Sequence, residues 1–138
     1  MTPAFVSTLL RAPSLRLVAR IALTCAFWWG ALTKLTNFPG AIAEAQHFGL
    51  EPAVAVVVAT IIVQLGGSLL LIFDRWAWLA AGALGVFTLL ATLLAHDFWN
   101  VTDAMERFHA LNTFLEHIGL IGGLFLAAAL SERERVQP

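Results

Sequence analysis

The sequence holds one cysteine, Cys25, and very little charge. A single cysteine excludes an intramolecular disulfide and any C-x-x-C redox or metal pair. Dithiol chemistry on a membrane quinone would therefore need residues this chain lacks. Charged residues make up 12% of the chain, against about a quarter in soluble domains. The formal net charge is −1, and no basic stripe exists to neutralise phosphates, which excludes nucleic acid as a partner. A nucleophile–base arrangement, a phosphate-cradling glycine loop and a metalloprotease motif are all missing. At 138 residues there is room for one membrane domain over 1–138 and none for a second, soluble one.

What fills the chain is apolar. Hydrophobic residues account for 59% of it, and the mean hydropathy is +0.82, values that suit lipid as the solvent. Four apolar stretches stand at approximately 15–35, 53–73, 76–95 and 110–130. Roughly 20 such residues cross the ~30 Å hydrocarbon layer as a helix, and in lipid a lone segment must be helical to satisfy its own backbone. The expected fold is all-α: a transmembrane four-helix bundle whose first partner is the lipid bilayer. The start, with Arg11, Arg16 and Arg20 before an apolar run, resembles a signal peptide; three further spans favour a retained anchor.

Residues 1–14, broken by Pro3 and Pro13, read as a lead-in on the membrane surface. After the first span, Ile42, Ala45 and Phe48 recur at helical spacing between Pro39 and Gly49, predicting a short amphipathic helix in the first outer loop. Asp74 and Arg75 alone separate the second and third stretches, which forces an antiparallel hairpin. Asp97–His109 reads as a linker and Ser131–Pro138 as a polar tail. Arg11, Arg16, Arg20, Arg75, Arg133 and Arg135 fall on one side, Lys34 and Arg107 on the other. Lys and Arg favour the cytoplasm, so both termini are expected there. Arg20, just inside the apolar run, is expected to snorkel to the headgroups. Seven Arg to one Lys, with much Ala and Leu, suggest a GC-rich bacterial source and hence the inner membrane.

Polar groups inside a bilayer need a partner or a task. Glu116 stands about two turns into the fourth span. Asn112, Glu116, Gly119 and Gly123 share one helix face, and Gly119-x-x-x-Gly123 permits close helix approach. Glu116 and Asn112 are therefore expected to face the bundle, with Lys34 as the ion-pair partner of Glu116. His117 lies beside Glu116, turned about 100°. Lys34, His96, Trp99, Asn112, Glu116 and His117 make up the candidate ligand cluster near the outer boundary. Thr60, Gln64 and Ser68 form one polar stripe and Thr88, Thr92 and His96 another, the plain reading being interhelical hydrogen bonds. Gln64, Gly66, Gly67, Gly119, Gly122 and Gly123 are read as helix-packing residues.

Several ligands compete for the outer cluster. A quinone among Trp28, Trp29, Phe98 and Trp99, hydrogen-bonded by His96 or Lys34, uses both the aromatics and the exchangeable donors. A haem held by His96 and His117, or a metal held by His96, Asp97 and His109, are rival readings; the metal reading lacks tightly spaced ligands, and no metal is expected. The tryptophans also fit an ordinary interfacial belt.

Arg20…Gly30-x-x-x-Lys34, Gly49-Leu50-x-Pro52, Gly66-Gly67 with Arg75, His96-x-Phe98-Trp99 and Asn112…Gly122-Gly123 occur in an order that resembles the DoxX family of small four-span bacterial membrane proteins. The resemblance spans roughly residues 14–130. It implies a part in membrane oxidoreductase systems, including quinone-reducing thiosulfate oxidation and oxidative-stress complexes. Gln64 stands where such proteins often carry a Glu, so a proton relay at that point is not implied here. The expected function is a subunit or accessory of a quinone-linked system, with other redox subunits or a second copy as partners. The alternatives are a non-catalytic assembly protein and a small transporter subunit.

Overall fold

The computed structural model describes residues 2–136, which contain helices and loops and no strand. Seven helices follow one another: α1 Ala4–Arg11, α2 Pro13–Leu23, α3 Cys25–Thr36, α4 Phe38–His47, α5 Ala53–Ile72, α6 Ala77–Ala95 and α7 Ala104–Val136. Three of them, α5, α6 and α7, are long and apolar enough to cross a membrane. The pair α2–α3 makes a fourth such length when taken as one broken span. Large apolar side chains point outward along these helices, with Ile62, Leu90 and Leu126 each more than 60% exposed. That surface is at home in hydrocarbon, which is as apolar as leucine itself.

The first apolar stretch reads in sequence as one straight span; the chain instead bends by 50° at Thr24. The buried Thr24 hydroxyl donates to the Arg20 carbonyl at 2.8 Å, and such back-bonding bends a helix. The bend lets α2 pack on α5 and α7 while α3 packs on α5 and α4. The fourth stretch is the middle of a longer helix. Asp103 caps α7 by accepting from the Met105 and Glu106 amides at 3.0 and 2.9 Å. From there α7 runs 33 residues, about 50 Å by helical rise. Residues 104–109, expected in a linker, and 131–136, expected in a tail, are therefore helical. Residues 137 and 138 of that tail lie outside the described residues.

The α5–α6 hairpin turns on a Schellman cap. The Arg75 amide donates to the Leu70 carbonyl at 2.8 Å and the Asp74 amide to the Leu71 carbonyl at 3.3 Å. Asp74, with φ 57°, fills the left-handed position that glycine usually holds, and Trp76 repeats that conformation at φ 47°. Above the turn the two helices meet at Gly67, where a Cβ would lie 2.7 Å from Leu84 Cγ. Leu84 belongs to the main buried cluster, with Phe27, Leu71, Ala77, Ala80, Ala81 and Leu124. A second cluster forms where Ala41 and Ala45, one turn apart on α4, meet Ala53 and Val57 on α5. The short helix expected after the first apolar stretch thus exists, and its small-residue face packs on the start of α5.

Charge ties one end together. Arg20 Nη2 lies 3.1 Å from Asp74 Oδ1 and donates to Ser131 Oγ at 2.9 Å. Arg135 donates to the Asp74 carbonyl at 2.7 Å, and Arg16 pairs with Glu134. Asp74 Oδ1 meets Arg20 as an ion pair, without the alignment of a hydrogen bond. Arg20 therefore does not reach for headgroups as expected; its side chain is 14% exposed and held between the hairpin turn and α7.

Candidate functional site

At the opposite end a cavity of about 580 Å³ opens between α3, α4, α5 and α6. Three ionisable residues line it, each placed by a helix terminus or loop-packed helix. Lys34 comes from the last turn of α3, and His96 is the C-cap of α6. Glu44 comes from α4, whose start is fixed by the Asn37 side chain accepting the Gly40 amide at 3.2 Å. The walls are apolar: Phe48, Leu50, Val57, Phe87 and Leu94, with Thr60 also in the lining. A cationic donor, an imidazole and a carboxylate over an apolar, phenyl-walled space suit a flat ligand with polar edges.

Beside the cavity, the rings of His96 and His117 touch edge to face with centroids 5.1 Å apart. His117 Nδ1 lies 2.7 Å from Thr92 Oγ1, which is also 2.6 Å from the Thr88 carbonyl. A carbonyl only accepts, so the Thr92 proton points to it. The hydroxyl then accepts from His117 Nδ1–H, leaving Nε2 as the ring's free acceptor. The two imidazoles are in direct contact, with no room for a porphyrin plane between them, so this geometry does not fit haem ligation. Among the described residues no three His, Cys, Asp or Glu side chains converge.

The other residues of the expected cluster scatter. Trp99 packs on Phe98 and Phe114, with ring centroids 5.1 and 6.1 Å away, and does not line the cavity. Trp29 is exposed, so the anticipated slot of Trp28, Trp29, Phe98 and Trp99 is not assembled; Phe48 and Phe87 supply the aromatic walls instead. Asn112 is half-buried on α7, whereas Glu116 is exposed. The described ion pairs include neither Lys34 nor Glu116. The reason is helical phase: His117 takes the inward direction toward Thr92 and His96, which turns its neighbour outward by about 100°.

The packing residues divide as well. Gly67 meets Leu84, and a Cβ on Gly123 would lie 3.0 Å from Leu23 Cδ1. Gly66, Gly119 and Gly122 have nothing within 4 Å of where a Cβ would stand, so no described helix uses them for close approach. Gln64 is buried with its amide nitrogen against Gly30, and its Oε1 has no hydrogen-bond partner among the described residues. Ser68, Thr88 and Thr92 bond back to their own helices at 2.6, 2.7 and 2.6 Å rather than across the bundle. Of these, Thr92 also reaches another helix, at His117.

Helices with outward apolar faces around a polar-mouthed cavity define an integral membrane protein. The chain belongs to the DoxX family, whose model matches residues 15–97, from α2 through the His96 edge of the cavity. No curated protein and no solved structure matches it.

Proposed function

We propose that this DoxX protein is a subunit or accessory of a quinone-linked redox or oxidative-stress system of the bacterial inner membrane. On this reading α2–α3, α5, α6 and α7 are the four spans of a transmembrane bundle. The arginine-rich end around Asp74 is cytoplasmic and holds both termini. The observation that carries the proposal is the cavity bringing Lys34 and His96 over the Phe48 and Phe87 walls. A quinone ring seated there has its edges toward Lys34 and His96, which donate to its oxygens, and its faces against hydrocarbon. A bound quinone supplies reversible two-electron, two-proton chemistry.

Protein purified from native membranes is expected to carry extractable quinone, read by absorbance before and after reduction. Lys34→Ala removes a charged donor, a contact worth about 1.5–3 kcal/mol. Quinone affinity should fall about tenfold or more, at 1.4 kcal/mol per decade. A quinone-free extract, with no binding on titration, would overturn the proposal.

A non-catalytic assembly role has one observation behind it. Glu116 is exposed on α7, and nothing packs at Gly119 or Gly122 among the described residues. An ionisable group facing hydrocarbon is unfavourable, and small residues admit a second backbone. A partner helix, from another redox subunit or a second copy, would cover both. Gly119→Leu is expected to abolish co-isolation of that partner while leaving the unfolding midpoint of the isolated protein unchanged or slightly raised, because Leu is the better helix former. Unchanged co-isolation would remove this reading.

A further inference from the structure

The cavity lined by Lys34, Glu44 and His96 has a neighbour. A second cavity, of about 610 Å³, lies along the outer groove between α5 and α6. Val56, Thr60, Phe87 and Leu90 line both spaces, so the two lie against each other across these four side chains. The groove contains no ionisable residue; below the shared wall it is bounded by Val63, Gly82, Val86 and, at its far end, Trp78. From Leu90 to Trp78 it follows α6 for about 18 Å by helical rise. The ionisable groups are thus all in the first space, and the second, directly beside it, is hydrocarbon-like and open sideways to lipid.

We infer that the ligand is an amphipathic lipid with a compact polar head and a long prenyl or alkyl tail. Its head lies at Lys34, Glu44 and His96, its tail lies in the α5–α6 groove, and it enters laterally from the bilayer. The inference rests on the quinone reading for the identity of the head and adds the tail and the route. A tail in this groove never leaves an apolar medium. Lipid and groove are equally apolar, so the hydrophobic effect does not favour one over the other. The groove contributes shape: it lets the head dock while the tail stays straight. A water-soluble ring would have no use for it.

Gly82 offers a clean test, because it lines the groove and a Cβ there meets nothing within 4 Å. A larger side chain at 82 starts into open space and projects into the groove. Binding is measured in lipid nanodiscs at fixed lipid, so that partition of the tail into the bilayer is common to all variants. The probes are a dimethoxybenzoquinone ring carrying a decyl tail and the same ring without it. Gly82→Phe is expected to weaken the decyl probe at least tenfold and leave the tail-free ring unchanged, with Gly82→Ala in between. Gly82→Leu replaces Phe should that variant not fold. Lys34→Ala should weaken both probes alike. Full decyl binding by Gly82→Phe and Gly82→Leu, with Lys34→Ala still impaired, overturns the groove and leaves the ring cavity standing. Binding of neither probe by the unaltered protein overturns both.

Discussion

Asp74→Ala is expected to lower the unfolding free energy by about 3 kcal/mol, the low end for removing one member of a buried ion pair. The low end applies because the Asp74 side chain is 32% exposed. Arg20, at 14%, would be left with Ser131 as its partner, and Arg135 would lose the nearby carboxylate. Part of the loss is backbone: Asp74 is left-handed at φ 57°, a conformation that costs an ordinary L-residue about 1 kcal/mol. Asp74→Gly separates the two contributions. It removes the charge and relieves the backbone, so it should be milder than Asp74→Ala by about 1 kcal/mol. Arg20→Ala combined with Asp74→Ala should be less damaging than the sum of the single changes, with a coupling of about 1–3 kcal/mol. Reversible unfolding in mixed micelles reads all four. An Asp74→Ala protein as stable as the parent would show that the clamp joins nothing.

Features that depend on composition over a long window are legible in the sequence. The apolar stretches at 53–73 and 76–95 coincide with α5 and α6, because a run of about 20 apolar residues admits few other structures. The hairpin follows from the two residues available to turn it, and α4 from the spacing of Ile42 and Ala45. The bend at Thr24 is not legible. A threonine inside an apolar run is compatible with a straight helix. What bends it is its hydroxyl bonding to Arg20, together with α2 and α3 packing on different neighbours. The length of α7 is hidden for another reason. Glu106, Arg107 and His109 signal departure from hydrocarbon, and a helix can leave the membrane without ending.

The site is half legible. Lys34 and His96 line one cavity because the chain's alternating helices bring the end of α3 to the same side as the end of α6. The inward face of α7 is not centred where Glu116 and Gly119 predict it, since both are exposed while Asn112 and Gly123 are half-buried. In a helix surrounded by lipid both faces are apolar, so periodicity loses the contrast that sets phase in a soluble protein. The inward face runs instead through His117, Leu124 and Ser131, at heptad spacing. Glu44 and Phe48 carry a usable signal, one turn apart beside the buried Ala41 and Ala45. Phe87 carries none, being one apolar residue among many.

Adjacent glycines should respond with opposite sign. Gly67→Ala places a methyl 2.7 Å from Leu84 Cγ and 2.9 Å from its Cδ2. Leu84 is fully buried at the centre of the main cluster and cannot swing away. Overpacking of this kind costs about 1–3 kcal/mol, and the valine variant should separate α5 from α6. Gly66→Ala meets nothing within 4 Å and gains helix propensity, up to about 1 kcal/mol in the stabilising direction. Leu84→Ala alone costs about 2–5 kcal/mol through the space it leaves. Combined with Gly67→Ala, part of that space is filled by the new methyl, so the double variant should be less damaged than the sum of its parts by about 1 kcal/mol or more. Additive losses, or equal losses at 66 and 67, would mean that α5 and α6 do not make their closest approach through this glycine.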